Sequence, residues 1–263
     1  MRRPALISCL LAALSATLVT ACTSVSYDFG DLTAPGPRFR DRKPHEWTYP
    51  APWHYPVHGT DVAKYQGNVD WRRLKAGGIS FAFIKATEGG DRVDNSFAEN
   101  WQEARASGIP RGAYHFFYFC TPAIEQAAWF IRNVPKEKGA LPPVADVEWN
   151  PASPTCTYRP PATVVRQEMK IFLEALAQHY GKEPIVYTTI DFFNDNELSR
   201  LKGYRFWLRS VAGHPAAKFD GHPWLFWQYT GTGILPGIRG DADINAFNGN
   251  RATWLKWLRA NAT

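Results

Sequence analysis

From Val57 onward the chain alternates short apolar runs with longer stretches of helical spacing. Runs rich in Val, Ile, Phe and Ala predict strands over 59–62, 79–85, 112–119, 143–148, 184–188, 205–208, 224–229 and 242–247. Between the early ones, apolar positions recur at helical spacing over 71–76, 97–107, 121–134 and 163–180, with a shorter candidate over 192–201. Asn95 and Thr121-Pro122 supply helix-start signals. Buried apolar runs alternating with helices predict parallel strands in βα units, and eight of them predict closure into a barrel. The last three strands leave little room for helices, so the expected fold is α/β, an irregular TIM-like barrel. The final residues, with Trp254, Leu255, Trp257 and Leu258, read as a terminal helix packed on that barrel, a membrane-surface role being the alternative.

A different pattern precedes this domain. Met1-Arg2-Arg3-Pro4 and an uncharged run over 5–21 have the form of a secretion signal, and Val19-Thr20-Ala21-Cys22 resembles a bacterial lipobox. The expected division is a signal peptide over 1–21, a lipidated Cys22 with a Pro-rich tether over 22–56, and a catalytic barrel over 57–263. An ordinary signal peptide with an incidental cysteine is the alternative. A lipid on Cys22 implies the cell envelope, on the outer membrane facing the periplasm in a Gram-negative host. Trp47, Tyr49, Trp53, His54 and Tyr55 are too many rings for a wholly solvated linker, so part of the tether is expected on the domain surface. With Cys9 in the signal and Cys22 at the anchor, Cys120 and Cys156 remain, either bonded in an oxidising compartment or as two thiols. They lack nearby paired histidines, so no metal is expected.

Charge adds little. The chain carries +6, and without Arg2 and Arg3 it keeps 28 basic against 24 acidic residues, a modest excess suited to encounter with an anionic wall or membrane surface. No basic run or nucleic-acid motif is present, so nucleic acid is not an expected partner.

The candidate chemistry sits at the end of the fourth apolar run, where Asp146 and Glu148 lie at i, i+2 and share one face of a strand. Their backbones are about 6.6 Å apart at a rise of ~3.3 Å per residue, close enough to titrate as a pair. Such a pair divides labour in glycoside hydrolysis, one acid protonating the leaving oxygen while an anion supports a cationic sugar. The bland reading is a strand end with two solvated acids. Asp61 and Asp243 fall near other strand ends on the rim where barrel chemistry gathers, which favours a site.

Ordered fragments then carry a resemblance. Gly59-Thr60-Asp61-Val62-Ala63-Lys64-Tyr65-Gln66-Gly67, Phe83-Ile84-Lys85-Ala86-Thr87-Glu88-Gly89, Gly112-Ala113-Tyr114-His115-Phe116, Asp146-Val147-Glu148, Ile185-Val186-Tyr187-Thr188, Trp227-Gln228-Tyr229-Thr230 and Asp241-Ala242-Asp243-Ile244-Asn245 resemble the glycoside hydrolase family 25 muramidases, the Chalaropsis-type lysozymes. The resemblance implies a (β/α)5(β)3 barrel that hydrolyses the β-1,4 bond from N-acetylmuramic acid to N-acetylglucosamine in peptidoglycan glycan strands, without a cofactor and as a monomer. It implies Glu148 as general acid, Asp146 as the partner that orients the substrate acetamido group, and Asp61 and Asp243 as the rest of the acidic floor; the carboxylate spacing falls near the inverting range, so a water-based inverting route is the alternative to substrate assistance. Tyr65, Tyr114, Tyr187 and Gln228 are candidates for lining the sugar groove or for ordinary barrel packing. Arg209 departs from many relatives; it is expected either to meet lactyl or peptide carboxylates or to pair with Asp220 on the surface. His115 is expected as a satisfied core histidine, Asp241 as loop, and Lys85 as a partner of the barrel acids. The competing functions are a wall-binding scaffold without turnover and a hydrolase of a related β-1,4 polymer such as chitin.

Overall fold

The structure, a computed structural model, describes residues 39–48 and 50–262. The signal, Cys22 and the first part of the expected tether lie outside the described residues. Seven consecutive parallel strands form most of a ring: β2 (His58–Val62), β3 (Ile79–Glu88), β5 (Arg111–Phe116), β6 (Val144–Val147), β7 (Ile185–Thr188), β8 (Arg205–Arg209) and β9 (Phe226–Ile234). The antiparallel β10 (Ala242–Phe247) closes it between β9 and β2. Two short strands decorate the ring, β1 (Arg40–Asp41) on β9 and β4 (Arg92–Val93) on β3.

Helices follow the first five ring strands: α1 (Trp71–Ala76), α2 (Phe97–Ala106), α3 (Ala123–Asn133), α4 (Ala162–Tyr180) and α5 (Ile190–Asp195). After β8 only the short α6 (Pro215–Lys218) intervenes, so five βα units and three strands make the irregular barrel. The periodicity placed these elements to within a few residues, and the differences have local causes. The strand stops short of 119 because Phe116, opposite Asp146, is the last residue in register with β6, and the Phe117 amide closes that pair by donating to the Asp146 carbonyl at 2.9 Å. Helix α3 begins at Ala123 because Pro122 holds an extended backbone and Glu168 accepts the Ala123 amide at 2.7 Å. Strand β9 runs on to Ile234 because Gly233 pairs with Ala242 of β10 and Ile234 with Arg40 of β1.

Aromatic side chains fill the ring. Phe81, Phe83, Trp207 and Phe226 are buried, and Phe83 stacks on Trp207 with centroids 4.8 Å apart. Each such ring removed from water contributes about 1.5–3 kcal/mol. The filling needs Gly59, where an added Cβ would lie 2.3 Å from the Phe81 ring. The final helix α7 (Arg251–Asn261) sets Trp254 against Phe81 and Phe247 at 5.3 and 5.2 Å, which plugs the end where the parallel strands begin. That leaves the opposite end, at the strands' C-termini, for chemistry.

Residues 39–48 and 50–56, expected from the sequence as part of a tether, pack against the barrel. Beyond the pairing of β1 with β9, Trp47 meets Trp227 edge-on at 5.1 Å, and the Tyr55 hydroxyl bonds His214 at 2.8 Å. Cys120 and Cys156 form a disulfide with Cα atoms 5.8 Å apart, joining the segment after β5 to the loop that follows Glu148.

Candidate active site

The parallel strands deliver their last residues to one rim, and the antiparallel β10 delivers its first. Asp61, next to last in β2, therefore stands directly opposite Asp243 in register, while Asp146 occupies β6 and Glu148 follows that strand. These four acids line one cleft of about 320 Å³ with Tyr65, Tyr114, Tyr187, Arg209 and Gln228, so the structure gathers every candidate taken from the sequence for the catalytic rim. Lys85, Phe116 and Trp207 complete its wall.

Asp61 is the most tightly held. Asn245 Nδ2 donates to it at 2.7 Å, and Gln228 Nε2 donates to both its oxygens at 3.0 and 3.1 Å. Each amide is itself fixed: the Tyr187 hydroxyl donates to Gln228 Oε1 at 2.9 Å and the Trp207 indole to Asn245 Oδ1 at 2.7 Å. Because the indole only donates, the Asn245 amide must turn its nitrogen toward Asp61. Burial raises the Asp61 pKa to about 6, against the lowering effect of these donors and of Arg209. Gln228 and Tyr187 thus line the cleft while their polar atoms hold Asp61.

The other acids are driven upward too. Burial lifts the Glu148 pKa to about 7; Arg209 opposes the rise, and Asp191 and Asp61 add to it. Asp146 is raised by burial and then by the Glu148 charge, and its Oδ1 is buried without a hydrogen-bond partner among the described residues. Asp243 is raised by burial and by Asp61. Burial and the surrounding acids also keep Tyr114 and Tyr187 protonated, as donors. The cleft is therefore stocked with protons near neutrality, as a site that donates one to a leaving group requires.

Arg209 faces these acids instead of Asp220, acting on Asp61, Glu148 and Asp243 from the same wall. Lys85 acts on Asp146 and Glu148 through its charge, while its direct ion pair is with Glu88 at 2.7 Å and it lies 4.8 Å from the centre of the Phe116 ring. Glu88 also accepts from the Tyr118 hydroxyl at 3.0 Å, which in turn accepts from Asn150 at 3.1 Å, tying Lys85 to the loop after Glu148. His115 is a core histidine as expected, bonded to Thr87 and Gln126 at 2.8 and 3.0 Å, its pKa lowered to about 4 by burial. Asp241 is an exposed loop residue paired with Arg42 at 3.0 Å. Asn245 was missed, although its signal was present: two residues after Asp243 in one strand, it shares that residue's face.

Comparison with known proteins agrees with this geometry. The model of glycosyl hydrolases family 25 matches residues 60–238, a span that holds Asp61, Asp146 and Glu148. This chain belongs to glycosyl hydrolase family 25. It resembles a solved family 25 glycosyl hydrolase of Bacillus anthracis at 39% identity and a TM-score of 0.74, over 82% of this chain and 98% of that one. A solved lysozyme of Streptomyces coelicolor matches at 32% identity and a TM-score of 0.69, over 78% of this chain and 97% of its own. Lysozyme M1 of Streptomyces globisporus is 34% identical over 209 residues, which are 76% of this chain and 70% of that protein. Family 25 membership makes the chain a glycoside hydrolase; Asp243, in β10, lies just outside the matched span.

Proposed function

We propose that this glycoside hydrolase is an N-acetylmuramidase, cleaving the β-1,4 bond between N-acetylmuramic acid and N-acetylglucosamine in peptidoglycan. The observation that carries the reading is the paired Asp146 and Glu148 at one strand end, both with raised pKa over a cleft that holds Asp61 and Asp243. The relatives named lysozyme support the substrate.

Glu148 is the general acid. At pH below about 7 it keeps its proton and passes it to the glycosidic oxygen as the C1–O bond breaks. Asp146 handles the other side of the sugar. Its carboxyl lines the cleft and accepts the acetamido N–H of the bound substrate, and that hydrogen bond favours the ionised form of a group whose charge burial penalises. So oriented, the acetamido carbonyl oxygen bonds to C1 while the leaving sugar departs with the Glu148 proton. Water then adds at C1, giving its proton to Glu148 and its hydroxyl to the sugar, and the ring on the acetamido group opens with overall retention. Asp61 and Asp243 stabilise positive charge at C1, Asp61 being fixed beforehand by its two amides. Arg209 meets lactyl or peptide carboxylates at the cleft wall. Tyr65 and Tyr114 form its stacking and hydrogen-bonding surface.

The lipobox-like Val19-Thr20-Ala21-Cys22 supports anchoring of the enzyme to a membrane of the cell envelope through Cys22. The activity is tested by mass spectrometry of muropeptides released from purified peptidoglycan, with wild type beside Glu148→Gln. Products with reducing N-acetylmuramic acid ends, absent with the variant, are expected. Release by both proteins would remove Glu148 from the role of acid, and no release by folded wild type would overturn the muramidase reading.

A further inference from the structure

A second and larger cavity, of about 770 Å³, opens beside the acid cleft between α1, the start of α2 and residues 235–239. The two share Tyr65, which stands 76% exposed between them. We propose that this cavity binds the peptide branching from the glycan substrate, a short chain with small apolar side chains, several carboxylates and an amine. The proposal rests on the muramidase reading, and it adds a recognition site outside the catalytic acids.

Three features select a peptide over another length of glycan. Sugars seek aromatic platforms, yet Tyr65 supplies the single aromatic ring in this lining, and the wall opposite α2 is aliphatic, from Leu235, Pro236 and Ile238. Charges of both signs face the cavity, Arg73 and Arg239 against Asp70, Glu99 and Glu103, and among the described residues none of the five is held in an ion pair. That arrangement suits a zwitterionic ligand. Asn100 forms part of the wall, is 4% exposed, and has a buried Nδ2 without a hydrogen-bond partner. Its Oδ1 accepts the Trp71 indole at 3.2 Å, and since the indole only donates, the amide cannot turn over without losing that bond. The wall therefore contains a fixed, buried donor that lacks an acceptor, which a small opening of the wall would bring to a peptide carbonyl or carboxylate.

The test has two readouts. The full chain is titrated with a synthetic tetrapeptide of the L-Ala–D-Glu–diaminopimelate–D-Ala type by nuclear magnetic resonance. Separately, kcat/KM is measured on intact peptidoglycan and on glycan strands stripped of peptide by an amidase. Binding of the peptide by wild type is expected, weakened about tenfold by Arg73→Ala with Arg239→Ala and by Asn100→Asp, which keeps the acceptor for Trp71. The Arg73→Ala, Arg239→Ala double variant should lose a similar factor on intact peptidoglycan and none on stripped strands. No peptide binding by wild type, or equal losses on the two glycans, would overturn the proposal. If neither glycan were cleaved while the peptide still bound in an arginine-dependent way, the muramidase reading would fail and the site would stand.

Discussion

Replacing Glu148 with Gln should stabilise the protein at alkaline pH while abolishing its activity. The folded protein holds this carboxyl near pKa 7 against the ordinary 4.5, chiefly because burial penalises its charge. A folded pKa above the unfolded one means the native state retains the proton longer, so the associated stability is full below about pH 4.5 and is lost as pH rises through about 7. A rise of this size corresponds to roughly 3 kcal/mol at 1.36 kcal/mol per unit. Glutamine keeps the shape and never charges, so at pH 8 the variant escapes that loss. For a domain of this size about 1 kcal/mol moves Tm by ~2–4 °C, so the variant should melt roughly 6–12 °C above wild type at pH 8 and level with it at pH 4. Asp61, Asp146 and Asp243 titrate in both proteins, and the difference between them isolates Glu148 together with its repulsion of Asp146. Calorimetry of both proteins at the two pH values and one ionic strength is the assay. A Tm difference that is the same at pH 4 and pH 8 would refute the argument that Glu148 is held neutral by its surroundings.

Arg209→Ala removes a cation that holds down the pKa of Glu148 and of Asp61. The alkaline limb of the kcat/KM profile should therefore move to higher pH, and an unmoved limb would show that Arg209 acts on substrate alone. Cys120→Ser with Cys156→Ser opens a link across 36 residues. Loop-closure entropy puts the cost at up to about 4 kcal/mol, or roughly 8–16 °C in Tm. Thermal unfolding of oxidised wild type beside the double variant measures it, and because the link holds the loop after Glu148, kcat should fall as well.

Much of the fold was legible because a parallel barrel writes itself in a simple code. Strands buried on both faces read as unbroken apolar runs, and helices between them read at period 3.6. The parts that escaped the code are set by partners distant in sequence. Arg40–Asp41 is a strand only because Gly233 and Ile234 stand beside it, and no local pattern announces that. The last turns of β9 exist because β10 returns against them.

The site divides along the same line. The four acids could be found from the sequence because each ends or begins a strand, and strand ends of a barrel converge. What each acid does was not legible, because charge depends on donors that arrive from elsewhere. Asp61 meets Asn245 and Gln228 from the two strands that close the ring, so its pKa stays near 6 despite burial. Asp146 meets no donor at Oδ1, and burial with the Glu148 charge pushes its pKa upward. Two aspartates of one sequence type thus enter the reaction differently held, one fixed before substrate arrives and one waiting for the substrate's own N–H. Spacing finds an acid pair, but the division of roles within it is written in the hydrogen bonds that each carboxyl lacks.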